Sequence, residues 1–127
     1  MKNKFKLLCL ILFVSLTNFA QELKTFDKEL LTNENKLNLL SSKKRGIETE
    51  EKEIYILEND NQTVSAYING ILEWQFNAPL ECGKLNERKL NVRFIEIRKN
   101  KLFVTYGKHS FAEFNLKTGK TKCLGSD

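Results

Sequence analysis

The chain has 127 residues, 21 Lys and Arg against 16 Asp and Glu, and a single histidine. Three of the lysines head an N-terminal leader, so residues 21–127 hold 18 basic and 16 acidic side chains. A surplus that small gives no electrostatic footprint for nucleic acid, and the length allows one domain with one core.

The leader reads MKNKFKLLCLILFVSLTNFA. Lys2, Lys4 and Lys6 precede an apolar core over 7–16, and Ala20-Gln21 is the expected cleavage point, although Asn18 stands where a small residue is preferred. This is the pattern of a bacterial-type secretory signal over residues 1–20. The apolar core is about half the ~20 residues that a membrane-spanning helix needs. Cys9 lies within it, not after a small-residue cleavage box, which argues against a lipoprotein. The expected product is a single β-rich domain over 21–127, exported to the periplasm or beyond the cell, without a membrane span after cleavage. The alternative is a retained N-terminal anchor.

Leu23, Phe26, Leu30, Leu37 and Leu40 step by threes and fours, as on a short N-terminal helix. Asn33, Asn35 and Asn38 oppose that reading, and a turn at 32–35 followed by a short strand from Lys36 is the alternative. The stretch KKRGIETEEKE reads as a solvated connection broken at Gly46. Its carboxylates Glu48, Glu50, Glu51 and Glu53 suit a wetted edge better than an acid/base pair converging across a cleft.

From Glu53 the pattern is β. EIYIL is rich in β-branched and aromatic residues, and Asn59-Asp60-Asn61 is turn chemistry without the loop spacing of a calcium site. TVSAYINGILEWQFN is a hairpin about Asn69-Gly70, a pair that accepts the positive φ angles of a type I′ turn. Its simple register sets Ile68 against Ile71, Tyr67 against Leu72 and Ser65 against Trp74. That register puts Tyr67, Leu72, Trp74 and Phe76 on the core face, with Val64, Ala66, Glu73 and Gln75 outward.

Ala78-Pro79 ends the strand, and LECGKLNERK is expected as a loop or crossing segment. In LNVRFIEIR the apolar phase switches between Phe94 and Ile95, which predicts a bulge or a strand buried on both faces. Three further runs, KLFVTY, FAEFNL and KTKCL, follow across turns, so the expected architecture is mainly β: two small antiparallel sheets packed as a sandwich.

Residues 54–75, IYILENDNQTVSAYINGILEWQ, lie over 102–123, LFVTYGKHSFAEFNLKTGKTKC, with Tyr67 matching Phe114 and Trp74 matching Cys123. Through these residues the segment 54–124 resembles β-propeller blades of the quinoprotein type, in which paired strands end in a small-residue turn and a Trp. The resemblance implies two blade-like meanders and carries over no cofactor and no functional residue. Two blades are fewer than the four or so a propeller needs, so the sheets must pack together or assemble with other copies.

With Cys9 in the leader, Cys82 and Cys123 remain, and in an exported chain they read as a disulfide. On the chain-entropy account, closing a loop of about 40 residues contributes ~4 kcal/mol. Two buried free thiols are the alternative, and neither cysteine has metal-ligand spacing to another. His109, in the turn GKHS, has no partners for nucleophilic catalysis, so the chain reads as no enzyme. The basic residues Arg88, Lys89, Arg93, Arg98, Lys99 and Lys101, interleaved with Phe94 and Ile95, are the candidate binding surface, with Lys108 and His109 added from the neighbouring turn. Alternation predicts Arg93 on a basic outer face and Phe94 on an apolar inner one. The expected function is an exported module that binds another protein. An immunity or inhibitor protein against an envelope toxin or hydrolase is the first alternative, and a small hydrolase using His109 or Cys82 the second.

Overall fold

The structure, a computed structural model, describes residues 23–83 and 90–126; the segment expected as a signal, Arg88 and Lys89 lie outside the described residues. Two five-stranded sheets pack face to face. The first begins with the expected meander, β4 (Glu53–Leu57), β5 (Thr63–Ile68) and β6 (Ile71–Asn77). Asn69 and Gly70 both take positive φ, 53° and 80°, as a type I′ turn requires. Ile68 pairs with Ile71 and Tyr67 with Leu72, but Ala66 then pairs with Trp74. Glu73 is therefore an extra, unpaired residue. One inserted residue reverses the facing of everything beyond it, so Trp74 and Phe76 turn inward with Ala66 and Val64. Tyr67 and Leu72 occupy the other face. This corrects the simple register: Val64 and Ala66 are core residues, exposed by 0% and 1%.

β3 (Gly46–Glu48) adds to β4, and β1 (Leu31–Thr32) runs parallel beside β3. The charged stretch is thus no mere connection, because Ile47 in its middle is only 1% exposed. Gly46 is a strand residue at a close approach, where a Cβ would stand 2.6 Å from the Tyr55 carbonyl oxygen. The N-terminal segment forms no long helix. A single 3-10 turn, Lys28–Leu30, is capped by Asp27, and the turn at 32–35 leads into β2 (Lys36–Asn38).

β2 belongs to the second sheet, where it pairs with β7 (Val92–Arg98). β8 (Lys101–Tyr106), β9 (Ser110–Asn115) and β10 (Thr121–Ser126) continue the meander, giving the order β10-β9-β8-β7-β2. The chain therefore crosses between sheets at β1–β2, at β2–β3 and after β6. The last crossing, in the segment expected as a loop or crossing, begins with a one-turn helix, α1 (Ala78–Cys82). Pro79 is tolerated in its first turn, and the Asn77 side chain accepts from the Leu80 amide at 2.9 Å.

The main core lies between the sheets. Phe114 of the second sheet packs against Trp74 and Phe76 of the first, with ring centroids 4.3 and 5.0 Å apart. Ile47, Tyr55 and Val64 meet Ile95, Leu102 and Val104 around them. Cys82 and Cys123 are bonded, their Cα atoms 5.5 Å apart, and the bond ties the end of α1 to β10.

Replacing Phe114 by Ala should remove the ring that both sheets share and lower the free energy of unfolding by about 3–5 kcal/mol in urea titration. Burial, and then the Glu53 carboxylate that accepts from its hydroxyl, hold the Tyr55 phenol above its ordinary value. The folded state thus keeps a proton that the unfolded state gives up near pH 10. Stability should fall as pH rises past 10, and Tyr55→Phe should flatten that slope in parallel titrations.

Candidate functional site

The two outer faces of the sandwich are treated differently. On the first sheet, Ile54, Ile56 and Tyr67 form a second apolar cluster with Leu31 and Phe26. The chain's own N-terminal segment lies over it. The Lys24 amide donates to the Gly70 carbonyl at 2.9 Å, and the Phe26 ring meets the Tyr67 ring edge-on at 4.9 Å. Lys24 Nζ donates to Tyr67 Oη at 3.2 Å, a bond that raises the lysine pKa against a smaller opposing effect of desolvation.

The outer face of the second sheet has no such cover among the described residues. Its character is set by a bulge in β7. Val92 pairs with Tyr106 and Phe94 with Thr105, so Arg93 is left unpaired between them. Beyond it Ile95 faces the core, while Phe94, Glu96 and Arg98 face outward. The bulge itself agrees with the phase switch in the sequence. The expected arrangement of Arg93 outside and Phe94 inside does not, because the extra residue reverses the alternation. The Arg93 Nε is buried without a hydrogen-bond partner.

Cross-strand register lays out the open face as rows. Asn38, Phe94, Thr105 and Phe111 form one row, and Lys36, Glu96, Phe103, Glu113 and Lys122 form the next. Phe94, Phe103, Phe111 and Leu124 line an open groove of about 370 Å³, with Glu96, Arg98 and Thr105 beside them. The three rings are half-buried, and Leu124 is 43% exposed. The Arg98 guanidinium lies 4.2 Å from the Phe103 ring centroid and pairs with Glu96. Lys101 Nζ stands 3.1 Å from Glu113 Oε1. These cations are partnered within the face and present little unscreened field to solution.

Among the described residues, the candidate basic side chains lie in separate places. Arg98, Lys99 and Lys101 gather at the β7–β8 turn, with Lys99 at φ 55° within it. Lys108 and His109 are exposed in the β8–β9 turn at the other end of β8, roughly 20 Å away at strand rise. Asp60 accepts from the Gln62 and Thr63 amides at 2.9 and 2.8 Å, and Arg45 binds Asn61 Oδ1 at 2.9 Å, so the Asn-rich turn serves structure. Among the described residues no three His, Cys, Asp or Glu side chains converge as a metal site would require.

Phe103, Phe111 and Leu124 are the residues that reading the sequence missed. Phe103 is in phase with Lys101 and Thr105, and Phe111 with Glu113, while Leu102, Val104, Ala112 and Phe114 take the inward phase. An aromatic residue in phase with charged neighbours was the available signal. No family model matches the chain, and no curated protein or solved structure matches it either.

Because Arg98 is itself exposed over a half-buried ring and its ion pair is half in water, Arg98→Ala should change stability by less than about 1 kcal/mol, as read from the urea midpoint.

Proposed function

We propose that the protein is an exported, non-catalytic binding module that docks another protein on the open outer face of its second sheet. The observation that carries this reading is the unequal treatment of the two faces. The chain spends its own N-terminal segment covering the apolar cluster of the first sheet, and leaves Phe94, Phe103, Phe111 and Leu124 of the second in contact with water. Aromatic rings at the centre with partnered charges around them are the composition of a protein interface: apolar in the middle, polar at the rim. The leader pattern and the Cys82–Cys123 bond support an oxidising, exported setting, in the periplasm or at the cell surface. On this reading the partner's contacts are with the rings.

The test is retention of envelope proteins by the immobilised mature chain, comparing wild type with Phe103→Glu and with Lys108→Glu. A specific partner should be lost with Phe103→Glu and kept with Lys108→Glu, and its retention should survive raised salt because the contact is apolar. Loss with Lys108→Glu alone, or release by salt alone, would move the site to the basic turns and refute the aromatic face.

A further inference from the structure

We infer that the Cys82–Cys123 bond is a redox-sensitive clasp on β10: reducing it releases this one strand from an otherwise intact sandwich. The effect on docking rests on the function proposed above; the release itself does not.

Among the described residues β10 is an edge strand with β9 as its one ladder partner. It contributes no buried side chain to the core among its described residues. Thr121 is half-buried, and Lys122, Cys123, Leu124 and Gly125 are exposed. Its neighbours differ sharply, since β8 buries Leu102, Val104 and Tyr106 and β9 buries Ala112 and Phe114. The β9–β10 ladder is also broken by a register shift between Cys123 and Gly125. Among the described residues, β10 is further held to α1 by the disulfide and by a hydrogen bond from Thr121 Oγ1 to Glu81 Oε2 at 2.7 Å on the exposed surface. A segment with few buried apolar contacts and a solvent-facing ladder opens at the low end of the range of local stabilities. The covalent bond is thus the main restraint that the strand's own packing does not supply.

The restraint can be reached from solution. Cys82 is half-buried at the end of α1, while Cys123 is exposed. A dithiol reductant can attack Cys123 as its thiolate, forming a mixed disulfide and expelling Cys82 as a thiolate that takes up a proton. The reductant's second thiol then displaces Cys123 and closes the reductant's own disulfide. Two electrons pass to the protein, and two protons end on its cysteines. Leu124 follows Cys123 directly and lines the groove beside Phe111. Release of β10 therefore removes one wall of the groove and turns β9 into an unpaired edge. The oxidised form is the docking form.

Amide hydrogen exchange of the mature protein, oxidised and in dithiothreitol, tests the clasp without any partner. Protection of residues 121–126 should fall at least about tenfold on reduction while β4, β5 and β8 keep theirs. A Cys82→Ala/Cys123→Ala double variant should behave like the reduced protein. Unchanged protection in 121–126 would overturn the inference, and so would loss of protection through the whole chain, which would make the bond a global staple. Retention of the envelope partner by oxidised and reduced protein tests the coupling and should drop on reduction. Equal retention with β10 released would overturn the coupling alone, leaving the docking face to be judged by Phe103→Glu.

Discussion

Side chains on a strand alternate with a period of two, and one extra residue reverses every side chain beyond it. Both sheets of this protein depend on that constraint. In β6 the extra residue is Glu73, and its insertion carries Trp74 and Phe76 into the core, where they meet Phe114. In β7 it is Arg93, which sends Ile95 inward to fill the core and Phe94 outward to join Phe103 and Phe111. The interior and the candidate binding face thus have a common origin. Without the bulge in β7 the core would face Phe94, Glu96 and Arg98, and the Arg98–Glu96 pair would have to be taken out of water.

The same sandwich shows two ways of handling apolar surface outside its core. The first sheet has a strap, in which Phe26 packs on Tyr67 and Lys24 hydrogen-bonds the phenol. The second has rings partly shielded by Arg98 and fringed by ion pairs. Such a face mixes apolar rings with charged side chains at its edges. The hydrophobic effect is proportional to the area removed from water, and among the described residues the strap has claimed that gain on one side only.

Much of the framework was legible in the residues. Asn69-Gly70 specified its turn by backbone chemistry alone, and the strands from Glu53 onward followed from β-branched and aromatic runs. The apolar phase switch at residues 94–95 revealed a bulge, but it did not reveal which residue was extra. That choice depends on pairing with Tyr106 and Thr105, more than ten residues away. The Glu73 bulge gave no sign, because Leu72, Trp74 and Phe76 are apolar on either register. β3 was hidden by its neighbours: one isoleucine among lysines and glutamates has no period to read, and it is buried because Tyr55 and β1 lie beside it. The two cysteines read correctly as a pair. The ion pairs of the basic residues were not legible either, since Arg98 meets Glu96 along its own strand and Lys101 meets Glu113 on the neighbouring one, and the length of β8 separates both from Lys108.

The order in which the chain visits its two sheets carries a further meaning. β1 and β3 lie in the first sheet, but β2 between them lies in the second, with Leu37 opposite Ile95. The resemblance between residues 54–75 and 102–123 invites a picture of two units that once stood alone. Crossed strands forbid that independence now. A half-length chain ending after β6 would leave β2 dangling with no neighbour, and the other half would lack the strand that closes its sheet. Completing the second sheet requires contacts between residues almost sixty positions apart in the chain, and non-local pairing of that kind slows folding.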